Sequence, residues 1–476
     1  MADPDLSSGM NVTTLTAGTA RVVITPPVGI HLVGFAGRPP STGIHDDLTA
    51  TALVLGERAA GGSTAGAEAD QLDTRVAVVA LDLLGLPGPD LVPAIKERIA
   101  AVTGIPGERV FLNCSHTHYG PVVGAEREGG DTAMARAYQE ALVHQLAGVV
   151  AMADGARRPA SLAVGRGAIR VGINRRERRP DGRIILGQNP EGTLDSEVLV
   201  WRFDAADGHG APVEPGAPVG WVRRTAEPIA VLVNYACHGV SLSGQMRLIS
   251  ADFPGVMRDV VERLVGGTAL YVQGAAGNIN PSLMGPDWRH PRLLGTALGA
   301  EAARVAALAQ PVGATPLRVA RETVDLPALL PVSVEAGRDL VAALETERER
   351  LAQGGRAGAR WWNARKLERA RRGLAALEGG EPVPPLPADV AALRLGEAAL
   401  VTNPSELFCE LGMAIKQASP FPWTGVAGYT DGSVGYIPTR SAYPEGGYEV
   451  ESACRVNPEA SELLEAASVR LLQSLA

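Results

Sequence analysis

Cysteine and aromatic residues are scarce in this sequence. The 476 residues include four cysteines, which lie far apart and form no CxxC pair. This spacing indicates neither a disulfide framework nor a zinc finger. We expect Cys114, Cys237 and Cys409 to be small buried core residues rather than zinc thiolates. Aromatic residues make up 4% of the chain, which gives no obvious surface for docking on a membrane.

Long apolar runs and an excess of basic residues are also missing. No run approaches the roughly eighteen apolar residues that span a bilayer, and the first twenty residues lack the basic and apolar regions of a secretory signal. The formal net charge is −8, with acids and bases interspersed, which excludes a strongly basic nucleic-acid-binding surface. We therefore expect a cytoplasmic protein with no nucleic-acid partner and no stable membrane insertion.

Apolar strand-like runs alternate with helical patterns along most of the chain. Runs of branched and aromatic residues are interleaved with segments whose apolar residues recur at three-and-four spacing. The pattern predicts an α/β fold, in which one large catalytic domain of mixed β-sheets is flanked by helices. We place this domain at residues 19–476, after a disordered tail at residues 1–18.

Residues 332–387 differ in composition from the rest of the chain. Charged residues at helical spacing surround Gly354 and Gly355, and a proline-rich stretch follows. The segment predicts an inserted hairpin of two charged helices. Its role is left open between a solvated surface and a lid or subunit contact anchored by Trp361 and Trp362. A subunit contact at this segment would make the protein a homo-oligomer.

Three histidines follow predicted strands. His116 and His118 come after the apolar run Val110–Leu112, in the string NCSHTHYGP, and His238 follows the strand Ile229–Tyr235. Active sites of α/β sheets gather at such strand ends. Imidazoles brought together there suit a metal ion, or a metal ligand beside an acid–base group. The HxH pair alone also fits two ordinary hydrogen-bonded histidines.

Two further polar features accompany these strand ends. Asp252 precedes a predicted helix, as a helix N-cap or as a hydrogen-bond partner of a ligating imidazole. The turn YVQGAAGNINP, which contains Gly277 and Asn280, could let backbone N–H groups approach a substrate oxygen. It lacks the spacing of phosphate-binding loops, so nucleotide binding is not predicted.

The last quarter of the sequence adds a carboxylate and a group of tyrosines. Glu406 lies at the predicted start of a helix after an apolar strand. Four of the eight tyrosines fall in one glycine-rich segment, at Tyr429, Tyr436, Tyr443 and Tyr448. Core or interface packing explains such clusters as readily as catalysis does.

Taken together and in order, these strings resemble the neutral (non-lysosomal) ceramidase family. The resemblance covers most of the chain, from ARVVITPPVG and GIHDDLTATALVL to YIPTRSAYPEGGY. It rests on the SHTHYGP string, the lone histidine after a strand, the AGNINP turn, the PSELF segment and the late tyrosines. The resemblance implies a neutral-ceramidase-like fold and a zinc-dependent amide hydrolase.

The resemblance also implies roles for individual residues. The zinc (Zn2+) ligands correspond to His116, His238, Glu406 and Tyr436. His118 matches a histidine that shuttles protons beside the metal. Tyr448 and Arg175 match residues that hold the substrate and its developing oxyanion, although the neighbouring Arg176 fits the arginine position as well.

One departure from the family concerns the nucleophile. Asn280 stands where the family has a serine once proposed as nucleophile, so we expect attack by zinc-activated water, with Asn280 and Gly277 contacting the substrate. We expect no counterpart of the family's C-terminal immunoglobulin-like domain or secretory signal. A smaller soluble N-acyl amide is therefore at least as plausible a substrate as ceramide, and we expect a substrate pocket that does not require a lipid bilayer.

Two other functions remain open from the sequence. A zinc esterase or lactonase would use the same residues. A non-catalytic metal-binding or lipid-binding protein would need the ligands but no proton shuttle, and the presence of both His118 and Tyr448 favours catalysis over this interpretation.

Overall fold

Strands and helices alternate along the computed structural model, which describes residues 13–59, 74–124, 132–206, 227–355 and 357–476. The strands are β1 (Thr13–Val23), β2 (Gly43–Ile44), β3 (Thr49–Ala59), β4 (Val76–Leu81), β5 (Val110–Cys114), β6 (Arg158–Ala168), β7 (Gly172–Arg178), β8 (Ile184–Asn189), β9 (Glu197–Ala205), β10 (Pro228–Tyr235), β11 (Leu248–Ile249), β12 (Thr268–Gln273), β13 (Ile279–Pro281), β14 (Gln310–Val312), β15 (Leu317–Leu326), β16 (Leu386–Leu395), β17 (Ala398–Thr402), β18 (Ser405–Leu407), β19 (Trp423–Ala427) and β20 (Gly435–Ile437). The helices are α1 (Leu91–Thr103), α2 (Ala133–Gly155), α3 (Asp252–Val265), α4 (Arg289–Leu308), α5 (Val334–Ala352), α6 (Ala357–Leu377), α7 (Cys409–Ala418), α8 (Tyr448–Glu451) and α9 (Glu459–Leu475). Within these ranges, no helix combines the length and the apolar character needed to cross a bilayer.

The largest sheet has the strand order β12-β10-β9-β6-β1-β3-β4-β5, with β14 beside β6. Its inner strands pair antiparallel, whereas β10 with β12 and β4 with β5 pair parallel at the two ends. Several of its strands, such as β4 and β5, are buried at every position. Continuous burial of this kind indicates a sheet that is covered on both faces.

Three apolar clusters show which elements cover the two faces of the large sheet. Side chains from α1, α2, α3 and α4 pack on one face of the large sheet. The other face packs against a second sheet of order β15-β16-β17-β19, and α7 and α9 cover the far side of that sheet. The protein is thus built of four layers: helices, large sheet, small sheet, helices. This arrangement confirms the predicted α/β domain of mixed sheets flanked by helices.

The first strand begins earlier than the sequence interpretation placed it. β1 starts at Thr13, inside the segment predicted as a disordered tail. Leu15 and Ala17 alternate inward and are buried, so burial of one side of this strand offsets the cost of ordering it. The remainder of the predicted tail, residues 1–12, lies outside the described residues.

The charged segment forms a pair of helices between two strands. α5 and α6 lie within the predicted hairpin, but the end of that segment is already β16. β15 and β16 pair antiparallel at every position from Leu317 with Leu395 to Leu326 with Leu386. The helical hairpin is therefore the connection between two fully paired neighbouring strands.

Candidate functional site

The predicted histidines lie where parallel strands of the large sheet end. His116 follows β5, and His238 follows β10. The two loops are joined by a parallel bridge between Thr117 and Gly239. A Cβ on Gly239 would lie 2.9 Å from the carbonyl oxygen of His116, so glycine is needed for this close approach. His116 itself has a φ of 60°, an uncommon backbone conformation that turns its side chain out of the strand direction.

Glu406 and Tyr436 are brought together by one short strand pair. β18 and β20 are parallel, and Glu406 is the direct partner of Tyr436 in their register. The prediction that Glu406 starts a helix is wrong, because α7 begins only at Cys409. Pairing with β20 holds Glu406 in an extended conformation and places its side chain on the same side of the pair as that of Tyr436.

These four side chains converge on one point. The Oε2 of Glu406 lies 3.3 Å from the Nε2 of His116 and 3.3 Å from the Nε2 of His238. The hydroxyl of Tyr436 lies 3.4 Å from the same Nε2 of His238. All four side chains are largely or completely buried.

Backbone carbonyls orient both imidazoles. The Nδ1 of His116 lies 2.6 Å from the carbonyl oxygen of Leu84, and the Nδ1 of His238 lies 2.7 Å from that of Ala276. Because a carbonyl accepts only, each Nδ1 must carry the ring proton. Both Nε2 atoms then direct lone pairs toward Glu406, which is how metal-ligating imidazoles are held in proteins.

The charges at this point call for a cation. Burial is the largest influence on His238 and, with the nearby Arg175, lowers its pKa to about 3. Burial acts to raise the pKa of Glu406, but His116 and His238 outweigh it and hold that pKa well below its usual range. Two imidazoles and an ionised carboxylate thus face one another in a buried site, where a positive charge stabilises the carboxylate.

Three of the separations fit the size of a tetrahedral metal site, such as one that holds zinc. Around a tetrahedral zinc bonded to nitrogen at about 2.0–2.1 Å and oxygen at about 2.0–2.2 Å, neighbouring ligand atoms are about 3.3–3.5 Å apart. The observed separations of 3.3, 3.3 and 3.4 Å fall in this range. A donor set of two nitrogens and two oxygens also suits zinc.

His118 lies beside this set. Its ring centroid is 5.0 Å from that of His116 and 5.7 Å from that of His238, and ligand nitrogens of the three histidines lie within 4.8 Å of one another. Among the described residues, neither of its ring nitrogens has a hydrogen-bond partner. Burial, followed by the charges of His116 and His238, lowers its pKa well below the usual value. His118 is therefore a neutral imidazole that can accept a proton.

Arg175, and not Arg176, faces the site. The Nη1 of Arg175 lies 3.1 Å from the Nε2 of His238 and donates to the Oδ1 of Asn280 at 3.1 Å. Its Nε donates to the Oε1 of Glu449 at 2.7 Å, whereas Arg176 uses the other oxygen of the same carboxylate. The Nη2 of Arg175 is buried and has no hydrogen-bond partner within the described part of the chain.

The two predicted tyrosines lie next to this arginine. The rings of Tyr436 and Tyr448 have centroids 5.8 Å apart, and the guanidinium carbon of Arg175 lies 5.3 Å from the first and 5.9 Å from the second. Burial, and then the charge of Glu406, raises the pKa of Tyr448 to about 12. Its hydroxyl is therefore protonated at neutral pH and can donate a hydrogen bond.

Asp252 lies in the first turn of α3 rather than at its N-cap position, although its carboxylate accepts a hydrogen bond from the backbone N–H of Phe253. Ala251 occupies the N-cap position of α3 without a side-chain cap, and neither imidazole bonds to Asp252, because carbonyls occupy both Nδ1 atoms. Asp252 instead accepts hydrogen bonds from the backbone N–H and the hydroxyl of Ser241. It thereby fixes the loop that follows His238.

Gly277 lies beneath the site and does not face a substrate. Its N–H donates to the carbonyl oxygen of Leu407 at 2.7 Å, so the prediction that this group contacts substrate is corrected. A Cβ at this position would lie 2.3 Å from the carbonyl oxygen of Glu406. The glycine is needed because the turn packs directly against β18. Asn280, in contrast, reaches the site through Arg175.

Adding a methyl group at Gly277 is expected to disturb the strand that carries Glu406. Gly277→Ala should lower the free energy of unfolding by about 1–3 kcal/mol, the usual cost of overpacking. Gly148→Ala is the matched control, because Gly148 lies within α2 and nothing lies within 4 Å of its added Cβ. The control should gain about 0.5–1 kcal/mol. Denaturant unfolding measures both, and equal stability of the two variants would contradict the packing argument.

Two residues at the site were not assigned a function from the sequence. The ring of Tyr429 lies 4.3 Å from that of His116, and its buried hydroxyl has no partner in the described ranges. Glu449 joins Arg175 and Arg176. Tyr429 stood out only as one of a tyrosine cluster. Glu449 directly follows Tyr448, and only the folded arrangement shows its contact with β7.

Comparison with known proteins identifies the fold. No protein-family model matches the sequence, and no curated protein matches it significantly. Among solved structures, the crystal structure of neutral ceramidase from Pseudomonas aeruginosa matches with a TM-score of 0.70 and 20% identity, over 98% of this chain and 75% of that one. This chain has the neutral ceramidase fold. A second structure, a ceramidase complexed with C2, matches with a TM-score of 0.69 and 18% identity over the same shares.

The neutral ceramidase fold brings the predicted site residues into one cluster. The expected ligands His116, His238, Glu406 and Tyr436 lie together, and His118, Arg175, Tyr448 and Asn280 surround them. At identities of 18–20% the likeness establishes the fold. The chemistry must therefore be argued from the side chains of this chain.

Proposed function

We propose that this protein is a zinc-dependent hydrolase that cleaves an N-acyl amide bond with a metal-activated water. The observation that carries the proposal is the convergence of His116, His238, Glu406 and Tyr436 at separations of 3.3–3.4 Å. The fold supports it, because the two solved structures reported above are ceramidases by description.

Each part of the ligand set has a distinct role. His116 and His238 would hold the ion through Nε2, Glu406 through Oε2, and Tyr436 through its hydroxyl. A zinc ion held there would polarise the amide carbonyl and lower the pKa of bound water to about 7. Burial raises the pKa of Tyr436 well above its usual value. Its neutral phenol would therefore be the weakest of the four ligands and the one that leaves a coordination position to water.

His118 would move the proton. Its neutral imidazole accepts a proton as water attacks the carbonyl carbon, and a carbon–oxygen bond forms. When the carbon–nitrogen bond breaks, the same imidazole returns a proton to the leaving amine. The products are a carboxylic acid and a free amine, so one water is consumed in each turnover.

Arg175 and Tyr448 would stabilise the oxyanion. Both are buried or partly buried donors beside the ligand set, and the Nη2 of Arg175 is not used by other described residues. Contacts of this kind contribute on the order of 3–4 kcal/mol each in other hydrolases. Asn280 holds the guanidinium in place and offers no nucleophile, because an amide is not nucleophilic at neutral pH.

The proposal is tested with the purified protein on small soluble N-acyl amides and on matched esters and lactones. We expect one zinc per chain, amide hydrolysis, loss of activity on chelation, and recovery when zinc is returned. Detergent-dispersed long-chain ceramide is a parallel substrate. Full activity in metal-free protein would overturn the mechanism. Cleavage of esters alone would replace the amidase by an esterase, and cleavage of ceramide alone would exclude the small soluble substrate.

A further inference from the structure

The ring of His118 is held by packing and not by hydrogen bonds. Neither of its nitrogens has a partner among the described residues. A Cβ on Gly34 would lie 2.5 Å from the Cγ and the Nδ1 of His118, so the backbone of Gly34 packs directly on the imidazole. The ring of Phe35 meets the imidazole edge-on, with centroids 5.3 Å apart and an interplanar angle of 71°. Residues 34–38 therefore help to set the direction in which this imidazole points.

Arg38 ties the backbone of His118 to the same segment. Its Nη2 donates to the carbonyl oxygens of Val33 and His118, at 2.6 Å in both cases. Its Nη1 donates to the carbonyl oxygen of Met246 at 3.3 Å. One guanidinium thus joins the residue that precedes Gly34, the residue that carries the imidazole, and a third loop.

The charge of Arg38 has no counter-charge. Arg38 is 5% exposed, and burial lowers its pKa to about 10, so the guanidinium remains charged at neutral pH. No carboxylate in the described part of the chain pairs with it. Buried cations are normally paired, because an unpaired charge away from water is costly. Here the cost is offset by bonds to three backbone carbonyls, which fix the path of the chain around His118.

The helical hairpin packs on this segment. A Cβ on Gly358, in the first turn of α6, would lie 2.2 Å from the carbonyl oxygen of Ala36. α6 is therefore in direct contact with the middle of residues 34–38. The segment contacts both His118 and α6, and the hydrogen bonds of Arg38 fix it between these contacts and the neighbouring loops.

We propose that Arg38 is a positioning residue for proton transfer. Its hydrogen bonds fix residues 34–38 against the imidazole of His118 and hold that ring in the direction in which it takes the proton from water and returns it to the amine. The proposal rests on the proposed function. Arg38 acts through His118, because it bonds to the carbonyl oxygen of that residue and to none of the proposed metal ligands. A misplacement of about 1 Å in a reacting group can lower a rate by about a hundredfold.

Arg38→Met removes the donors and the charge and keeps much of the side-chain volume. On a soluble N-acyl amide that the unaltered protein cleaves, kcat should fall by about tenfold to a hundredfold. KM should change by less than about twofold, and one zinc per chain should remain. An unchanged kcat, or a loss that appears only in KM, would overturn the proposal.

Arg38→Lys is the second variant. It keeps the charge but lacks the planar fork that reaches several carbonyls, so its kcat should lie between those of the unaltered protein and Arg38→Met. If Arg38→Met does not fold, Arg38→Lys takes its place in every measurement. A kcat of Arg38→Lys equal to that of the unaltered protein would then contradict the positioning role of the fork.

A double-mutant cycle with His118→Ala separates positioning from a general loss of structure. If Arg38 acts through the imidazole, Arg38→Met should lower the residual turnover of His118→Ala by less than about twofold. A loss by the same factor in both backgrounds would show that Arg38 acts independently of His118. Arg247→Met is the matched control, because the Nε of Arg247 donates to the carbonyl oxygen of Pro40, close to the same segment. Its kcat should stay within about twofold of that of the unaltered protein.

Nuclear magnetic resonance separates this proposal from the proposed function, because it needs no turnover. The chain has eight histidines, and the spectrum of His118→Ala assigns the ring signals of His118 in histidine-labelled, zinc-loaded protein. In Arg38→Met these signals should shift or broaden, whereas those of His144, exposed on α2, should not. Arg247→Met should change neither. If no amide is cleaved, the amidase proposal fails while this spectrum still decides the role of Arg38, and unchanged His118 signals would overturn that role.

Discussion

Replacing His238 with alanine is expected to remove zinc from the protein and to lower kcat/KM for amide hydrolysis by at least about a thousandfold. His238 is completely buried, and its Nε2 lies within 3.4 Å of Glu406 and Tyr436. The substitution removes the one proposed ligand that contacts both Glu406 and Tyr436. No other described side chain can replace it without moving. Elemental analysis and steady-state kinetics measure the two effects.

The control for this substitution is His144→Ala, which changes an exposed histidine on α2. Zinc content and activity should both remain as in the unaltered protein. Full zinc occupancy in His238→Ala, with thermal stability unchanged, would place the metal elsewhere. Retained activity without zinc would contradict the hydrolytic mechanism itself.

Replacing His118 with alanine should separate catalysis from metal binding. We expect turnover to fall by about a hundredfold to ten-thousandfold, because proton transfer by a positioned imidazole contributes on that scale. Zinc content should stay at one per chain, because the 3.3–3.4 Å ligand set does not include His118. Kinetics and elemental analysis are done on the same preparation.

A second measurement on His118→Ala distinguishes a proton shuttle from a structural residue. Added imidazole should restore part of the activity, since the ring nitrogens of His118 have no partner among the described residues and their removal leaves room. Loss of zinc in this variant would instead show that His118 is a ligand. A folded variant that keeps full activity would exclude it from proton transfer.

Local patterns in the sequence were sufficient to locate the three histidines of the candidate site, and the family resemblance added Glu406, Arg175 and the tyrosines. The strings around His116, His118 and His238 combine a buried strand with a polar loop, and the structure places each at a strand end. The same reasoning misplaced Glu406 on a helix, because SELF is too short to show a period of its own. Its strand conformation comes from pairing with residues near Tyr436, which no local pattern reveals.

Long-range contacts account for most of what the sequence did not show. The ion pair of Arg175 and Glu449 joins residues 274 positions apart, and Asp252 acts on Ser241 rather than on an imidazole. The four-layer order also depends on which face of the large sheet meets the second sheet. A strand buried on both faces has the same apolar composition whichever layer covers it. Its sequence therefore does not show which face packs against helices and which packs against the second sheet.

The attachment of the helical hairpin determines how easily its length and sequence can change during evolution. β15 and β16 are paired along their whole length up to its base, so the connection can change in length or sequence at little cost in loop-closure entropy. The residues proposed as metal ligands belong to other segments and keep their geometry when the hairpin changes. Related chains could therefore exchange one helical pair for another and acquire new substrates while the hydrolytic chemistry stays the same, and a designer could graft such pairs on this scaffold.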